Sequence, residues 1–139
     1  MKTHIVIHHS LTKDSETVSW GAIKDFHVNV NGWNDIGYHF GLELARDRYE
    51  IFMGRMTDEV GAHCPQNGMN TKGIGICLVG NFDIEKPSKL QYDKLIVLVK
   101  FLMRQYNIPK ENISGHHDHN PGKSCPGKLF DMKWFKDQL

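Results

Sequence analysis

Apolar and polar positions follow two different periods along this chain, and the places where the period changes mark out its elements. Residues 3–9, Thr-His-Ile-Val-Ile-His-His, set β-branched side chains side by side and predict a strand. A polar stretch over 10–16 follows. Val18, Ile23, Phe26 and Val30 then fall near one face of a helix over 18–30, with Ser15 or Thr17 as its cap and Asn31-Gly32 as its stop. Residues 37–44 and 48–55 flank a short polar turn and predict a hairpin. Residues 73–82, bounded by glycines, predict a buried central strand. Between Ser88 and Tyr106, the positions Leu90, Leu95, Leu98, Phe101 and Leu102 recur at helical spacing behind a Pro-Ser start. A short strand over 112–117 and an amphipathic helix over 129–139 complete the chain.

The order β, α, β, β, β, α, β, α predicts an α/β fold: one domain over residues 1–139, with a mixed central β-sheet flanked by helices and loops gathered at one edge as the place for a site. A length of 139 residues is that of one ordinary domain, and it suffices to bury a core. Charge adds an exclusion. With 17 basic and 16 acidic residues interspersed, no field gathers phosphate backbones or anionic lipid, so nucleic acid is not an expected partner. No segment reaches the roughly 18 to 20 apolar residues that span a bilayer, which excludes membrane insertion. The first ten residues lack the apolar core of a signal peptide, so synthesis and folding in the cytoplasm are expected. Cys64, Cys77 and Cys125 are an odd number without close spacing, which argues against a disulfide framework.

The chemistry concentrates in residues 115–127, Gly-His-His-Asp-His-Asn-Pro-Gly-Lys-Ser-Cys-Pro-Gly. Most histidines in a chain that has nine will be surface or satisfied polar residues. Imidazole and thiolate together suit zinc, however, and a Gly/Pro loop can fold Cys125 back toward the His116-His117 pair. A site with three protein donors and an open position needs one more ligand, which the pair His8-His9 at the end of the first strand can supply. Strand alternation puts His8 on the face of His4 and Val6, and His9 on the face of Ile5 and Ile7; the more polar face favours His8. Local pattern does not decide between His116 and His117.

Four stretches in order along the chain carry a resemblance: Ile-Val-Ile-His-His-Ser-Leu-Thr at 5–12, Gly-Trp-Asn-Asp-Ile-Gly-Tyr-His-Phe at 32–40, the run from Val60 to Phe82, and the loop at 115–127. Through them the chain resembles the zinc-dependent N-acetylmuramoyl-L-alanine amidases of the amidase-2 group, which share a fold with phage amidase lysozymes and peptidoglycan recognition proteins. The resemblance implies zinc (Zn2+) held by His8, His116 and Cys125, the first histidine of each pair being chosen. It implies Tyr38 and Lys123 as catalytic residues and His63 as a substrate-contacting histidine of the cleft. Lys123 would stabilise an oxyanion, and Tyr38 would orient water or relay a proton to the leaving amine. His9, His117 and His119 would take supporting or surface positions, His39 an interior one, and Asn70, Gly73 and Gly75 would shape the backbone.

The implied activity is hydrolysis of the amide between N-acetylmuramic acid and L-alanine in peptidoglycan, by a monomer whose partner is peptidoglycan or a muropeptide. A phage or prophage endolysin, released to the cell wall after synthesis, is the expected setting. The alternatives are a cytosolic muropeptide-recycling amidase and a non-catalytic recognition module, against which the retained Cys125 argues. A zinc peptidase of the common H-E-x-x-H type is excluded because the motif is absent.

Overall fold

A computed structural model describes residues 1–12 and 20–139. The proposed cap at Ser15 or Thr17, and Val18, fall outside the described residues. Strands β1 (His4–His9), β2 (Phe40–Ala45), β3 (Arg48–Met53), β4 (Gly73–Leu78) and β5 (Ile113–Gly115) form one sheet in the order β3-β2-β4-β1-β5. The β2–β3 hairpin is antiparallel, and β4 pairs parallel with both β2 and β1, as does β5 with β1. The expected mixed sheet is therefore present. Helices α1 (Trp20–Asp25), α2 (Met69–Lys72), α3 (Lys89–Tyr106) and α4 (Met132–Asp137) connect and cover it. Among the described residues, no helix is long and apolar enough to cross a membrane.

Side chains alternate across β1 and give the sheet two unlike faces. Ile5 and Ile7 join Phe40, Leu42, Ile74, Ile76 and Leu78 in an aliphatic layer beneath α3 and α4, closed by Leu95, Val99, Leu102 and Phe135. The opposite face holds Val6 with Cys64 and Met69, and Cys77 with Trp20, Ile23 and Ile36. It is made of small residues: a Cβ on Gly41 would meet the Trp20 ring at 2.3 Å, and one on Gly75 would meet Cγ of His63 at 2.6 Å. Aromatic rings therefore lie almost directly on the backbone of this face.

Two helical expectations are corrected. The predicted face of α3 is rotated: Leu90 and Phe101 are more than half exposed, while Gln91, Leu95, Leu98, Val99 and Leu102 turn inward. Gln91 takes a core position because its Nε2 donates to the Val79 carbonyl at 3.2 Å, satisfying the buried amide. Ser88 caps the helix as expected, accepting the Gln91 N–H at 3.1 Å. The helix expected through Val30 stays α-helical only to Asp25, and Phe26–Val30 widens into a π turn with Phe26 and Val30 exposed. The widened turn points His27 inward instead, where its Nδ1 accepts the Gly37 N–H at 2.9 Å.

Candidate metal centre

His8 ends β1 on the small-residue face, 1 % exposed. His116 opens a short 3₁₀ turn (His116–Asp118) directly after β5, the strand that pairs with β1, so sheet register brings the two histidines together. Their ring centroids are 4.8 Å apart. Cys125 returns to them because its loop is pinned on both sides. The Asp83 carboxylate accepts from Ser124 Oγ at 2.8 Å and from Lys128 N at 2.9 Å, and the Phe82 carbonyl accepts from Leu129 N at 2.7 Å. The same bonds hold the Asp83 carboxyl below its usual range. The Cys125 carbonyl accepts from both N and Nδ1 of His117, at 2.8 and 3.0 Å, which turns His117 away and leaves His116 facing the cysteine.

One donor atom from each of His8, His116 and Cys125 lies within 4.8 Å of the other two. His8 Nδ1 is 3.5 Å from Cys125 Sγ, and the His9 N–H also points to that sulfur, at 3.4 Å. Nε2 of His116 is buried without a hydrogen-bond partner. Such an orphan is costly unless something else occupies its lone pair. Burial, followed by the neighbouring His63 and His116, holds His8 well below its ordinary pKa, and burial with Lys123 nearby lowers His116, so both rings are neutral donors. Burial pushes the Cys125 thiol up to about 12, a state that a bound dication reverses. Two neutral imidazoles and a sulfur around one point, one nitrogen unpaired, fit a divalent metal of the zinc type.

The remaining expected site residues divide into two groups. The Tyr38 ring is 5.2 Å from that of His8, and burial, reinforced by Cys77 and Cys125, raises its phenol well above the ordinary value. Tyr38 thus stays protonated at neutral pH. Lys123 is exposed in an open cavity of about 600 Å³ shared with His117 and Ser124, and its charge acts on both His116 and Cys125. His63 packs directly against His8. It is 7 % exposed, with Nδ1 2.9 Å from His8 Nε2, and burial followed by the nearby His39 brings its pKa down to about 3. His27, not singled out from sequence, extends a row of rings from Tyr38 (5.7 Å) to Trp33 (4.6 Å). Its sequence signal was its spacing, four residues after Ile23 and so near the expected inward face of the helix. A cavity of about 880 Å³ between α3 and α4, lined by Lys86, Tyr92, Phe130 and Trp134, contains none of the expected site residues.

The amidase-2 family model, described as N-acetylmuramoyl-L-alanine amidase, matches residues 2–128. The chain belongs to this N-acetylmuramoyl-L-alanine amidase family. Among family relatives, the endolysin of Klebsiella phage KP32 is 34 % identical over 146 residues, covering 99 % of this chain and 88 % of the endolysin. Peptidoglycan-recognition protein LB of Drosophila melanogaster is 34 % identical over 135 residues; the match covers 91 % of this chain but only 56 % of that protein, so the chain spans little more than half its length. The solved structure of the amidase LysC from Clostridium intestinale URNW superposes with a TM-score of 0.85 at 33 % identity, covering 99 % of this chain and 85 % of LysC. The fold is thus that of the amidase and recognition-protein group, as the four motifs implied.

Proposed function

We propose that this chain is a zinc-dependent N-acetylmuramoyl-L-alanine amidase of the phage endolysin type, hydrolysing the amide between the lactyl group of N-acetylmuramic acid and L-alanine in peptidoglycan. The observation that carries the reading is the convergence of His8, His116 and Cys125, with an unpaired buried nitrogen among them, in a chain of this family. Zinc held there supplies a Lewis acid that polarises a carbonyl and makes water acidic enough to act as a nucleophile at neutral pH. The protein's own groups do the rest. Lys123 presents an ammonium to the negative charge that develops on the amide oxygen. Tyr38, its phenol kept protonated by burial, would pass its proton to the departing alanine nitrogen and take back the one that the attacking water releases, so that the OH of the water ends on the lactyl carbonyl and its H, by way of Tyr38, on the new amine. The row formed by Tyr38, His27 and Trp33 walls the approach with rings and limits bulk water.

Near end-to-end matching to a phage endolysin supports the lytic setting over muropeptide recycling. Retention of all three donors favours an enzyme over a non-cutting recognition module. The test pairs metal content with release of new N-terminal alanine from purified cell wall. Cys125→Ser is expected to lose most of both, since a hydroxyl is a far poorer zinc donor than a thiolate; full retention of both would move the site elsewhere. Tyr38→Phe and Lys123→Ala are expected to keep their zinc. Lys123→Ala should lower kcat by about 10²–10³, the usual effect of removing one oxyanion donor. An unchanged kcat would remove its role.

A further inference from the structure

His63 is buried against His8. Its Nδ1 is 2.9 Å from His8 Nε2, and its own Nε2 is 3.4 Å from the Gly73 carbonyl. A carbonyl only accepts, so His63 Nε2 is the nitrogen that carries hydrogen. The same carbonyl receives the Lys2 ammonium at 3.3 Å, and Lys2, 5 % exposed, also donates to the Thr71 carbonyl at 3.0 Å. With the ring's hydrogen on Nε2, Nδ1 is the acceptor in its 2.9 Å contact with His8. His8 must donate to it from Nε2, which leaves the lone pair of His8 on Nδ1, the atom 3.5 Å from Cys125 Sγ.

The ring of His63 has no freedom to break this chain. A Cβ on Gly75 would meet its Cγ at 2.6 Å, and a Cβ on Gly61 its Cδ2 at 2.6 Å, so it is sandwiched in a slot made by two glycines. Asn70 Oδ1 accepts from the backbone N–H groups of His63 and Cys64, both at 2.7 Å, fixing the segment that carries the ring.

We infer that His63 is a positioning residue that sets the tautomer and orientation of His8: a relay running from the Gly73 carbonyl through His63 forces the His8 hydrogen onto Nε2 and aims its Nδ1 lone pair at the metal position. This rests on the metal-centre reading and deepens it. A histidine ligand whose second nitrogen is committed in this way is a stronger and better-aimed donor, and loss of such a partner typically weakens metal binding by about 10–100-fold.

Two measurements test it. In zinc-loaded wild-type protein, long-range ¹H–¹⁵N correlation spectra should show hydrogen on His8 Nε2 and none on His63 Nδ1; the opposite assignment overturns the inference with no variant needed. Zinc affinity is then measured by chelator competition, with thermal unfolding recorded alongside. His63→Leu, which removes the acceptor, should weaken zinc by about 10–100-fold. His63→Asn, whose amide oxygen can take the place of Nδ1, should remain close to wild type. Equal affinity in wild type and His63→Leu, or equal loss in both variants, removes the role of His63 while leaving the metal centre intact. A wild-type protein that takes up no zinc overturns both.

Discussion

The two faces of the central sheet are built on opposite principles, although a single strand contributes to both. On one, Ile5 and Ile7 of β1 meet the aliphatic side chains of β2 and β4 under α3 and α4, and every contact is non-directional. On the other, one residue out of phase, Val6 and His8 share a surface with Gly41, Gly75 and Cys77, where rings rest on backbone and polar atoms face one another at fixed distances. The first face stabilises by area removed from water and tolerates repacking. The second buries imidazoles, each of which needs a partner for each nitrogen, and so it fixes direction as well as proximity. Stability and chemistry are separated by the thickness of one strand.

The largest expected effect tests that separation from the aliphatic side. Leu95 is fully buried in the layer under α3. Leu95→Ala should cost about 2–5 kcal/mol of unfolding free energy, the range for truncating a buried leucine. Zinc affinity, measured well below the melting transition, should be unchanged. A variant that lost metal binding in step with stability would show the two faces to be coupled.

The converse substitution acts from the other side. Gly75→Ala places a methyl where the His63 ring lies, and that ring is backed by Gly61 and held by Asn70. Overpacking of this kind costs about 1–3 kcal/mol. Its distinguishing mark should be weakened zinc binding in the direction of His63→Leu, with denaturant melts and chelator competition run on the same preparations. Loss of stability alone, with zinc affinity intact, would mean that the ring slides without disturbing His8.

This division also explains how far the chain could be read as a sequence. The aliphatic face was legible because burial leaves a periodic record: β1, β4 and the extent of α3 all follow from their apolar positions. Even there the phase of α3 was misjudged, because Leu90 and Phe101 satisfy helical spacing while lying in solvent, and the inward place is held by Gln91, a residue that only its bond to the Val79 carbonyl makes apolar in effect. On the chemical face, the residue types and their grouping were legible, but their directions were not. The choice of His116 over His117 depends on a 3₁₀ turn and on the Cys125 carbonyl that claims His117. The place of His63 depends on Gly75 and on the Gly73 carbonyl, both of β4 and distant in sequence, as well as on the nearby Gly61. His27 follows Ile23 by four residues, near the expected inward face, but its bond to the Gly37 N–H and its place beside Tyr38 come from a segment ten residues on and have no local signature.

The smallest expected effect is one of pH, and it comes from the buried histidines. His39 is fully buried, its Nε2 donating to the Glu59 carbonyl and its Nδ1 accepting the Gly75 N–H, both at 3.0 Å. Burial brings its pKa down from 6.5 to about 4. Between those values the unfolded chain takes up a proton that the folded chain refuses, so the contribution of His39 is fully present above pH 6.5 and is lost as pH falls toward 4. His39→Asn keeps an acceptor for Gly75 while removing the titrating group. Denaturant melts across this window should show its stability falling less steeply with acidification, by about one proton, or at most about 1.4 kcal/mol per pH unit. The other buried histidines are present in both proteins, and His63, whose pKa His39 helps to lower, adds a smaller change in the same direction. Leu95→Ala, by contrast, should lower stability by the same amount at every pH, because it removes no titrating group. An unchanged slope in His39→Asn would place the acid sensitivity on the other buried histidines, whereas a changed slope in Leu95→Ala would show that aliphatic packing sets their titration.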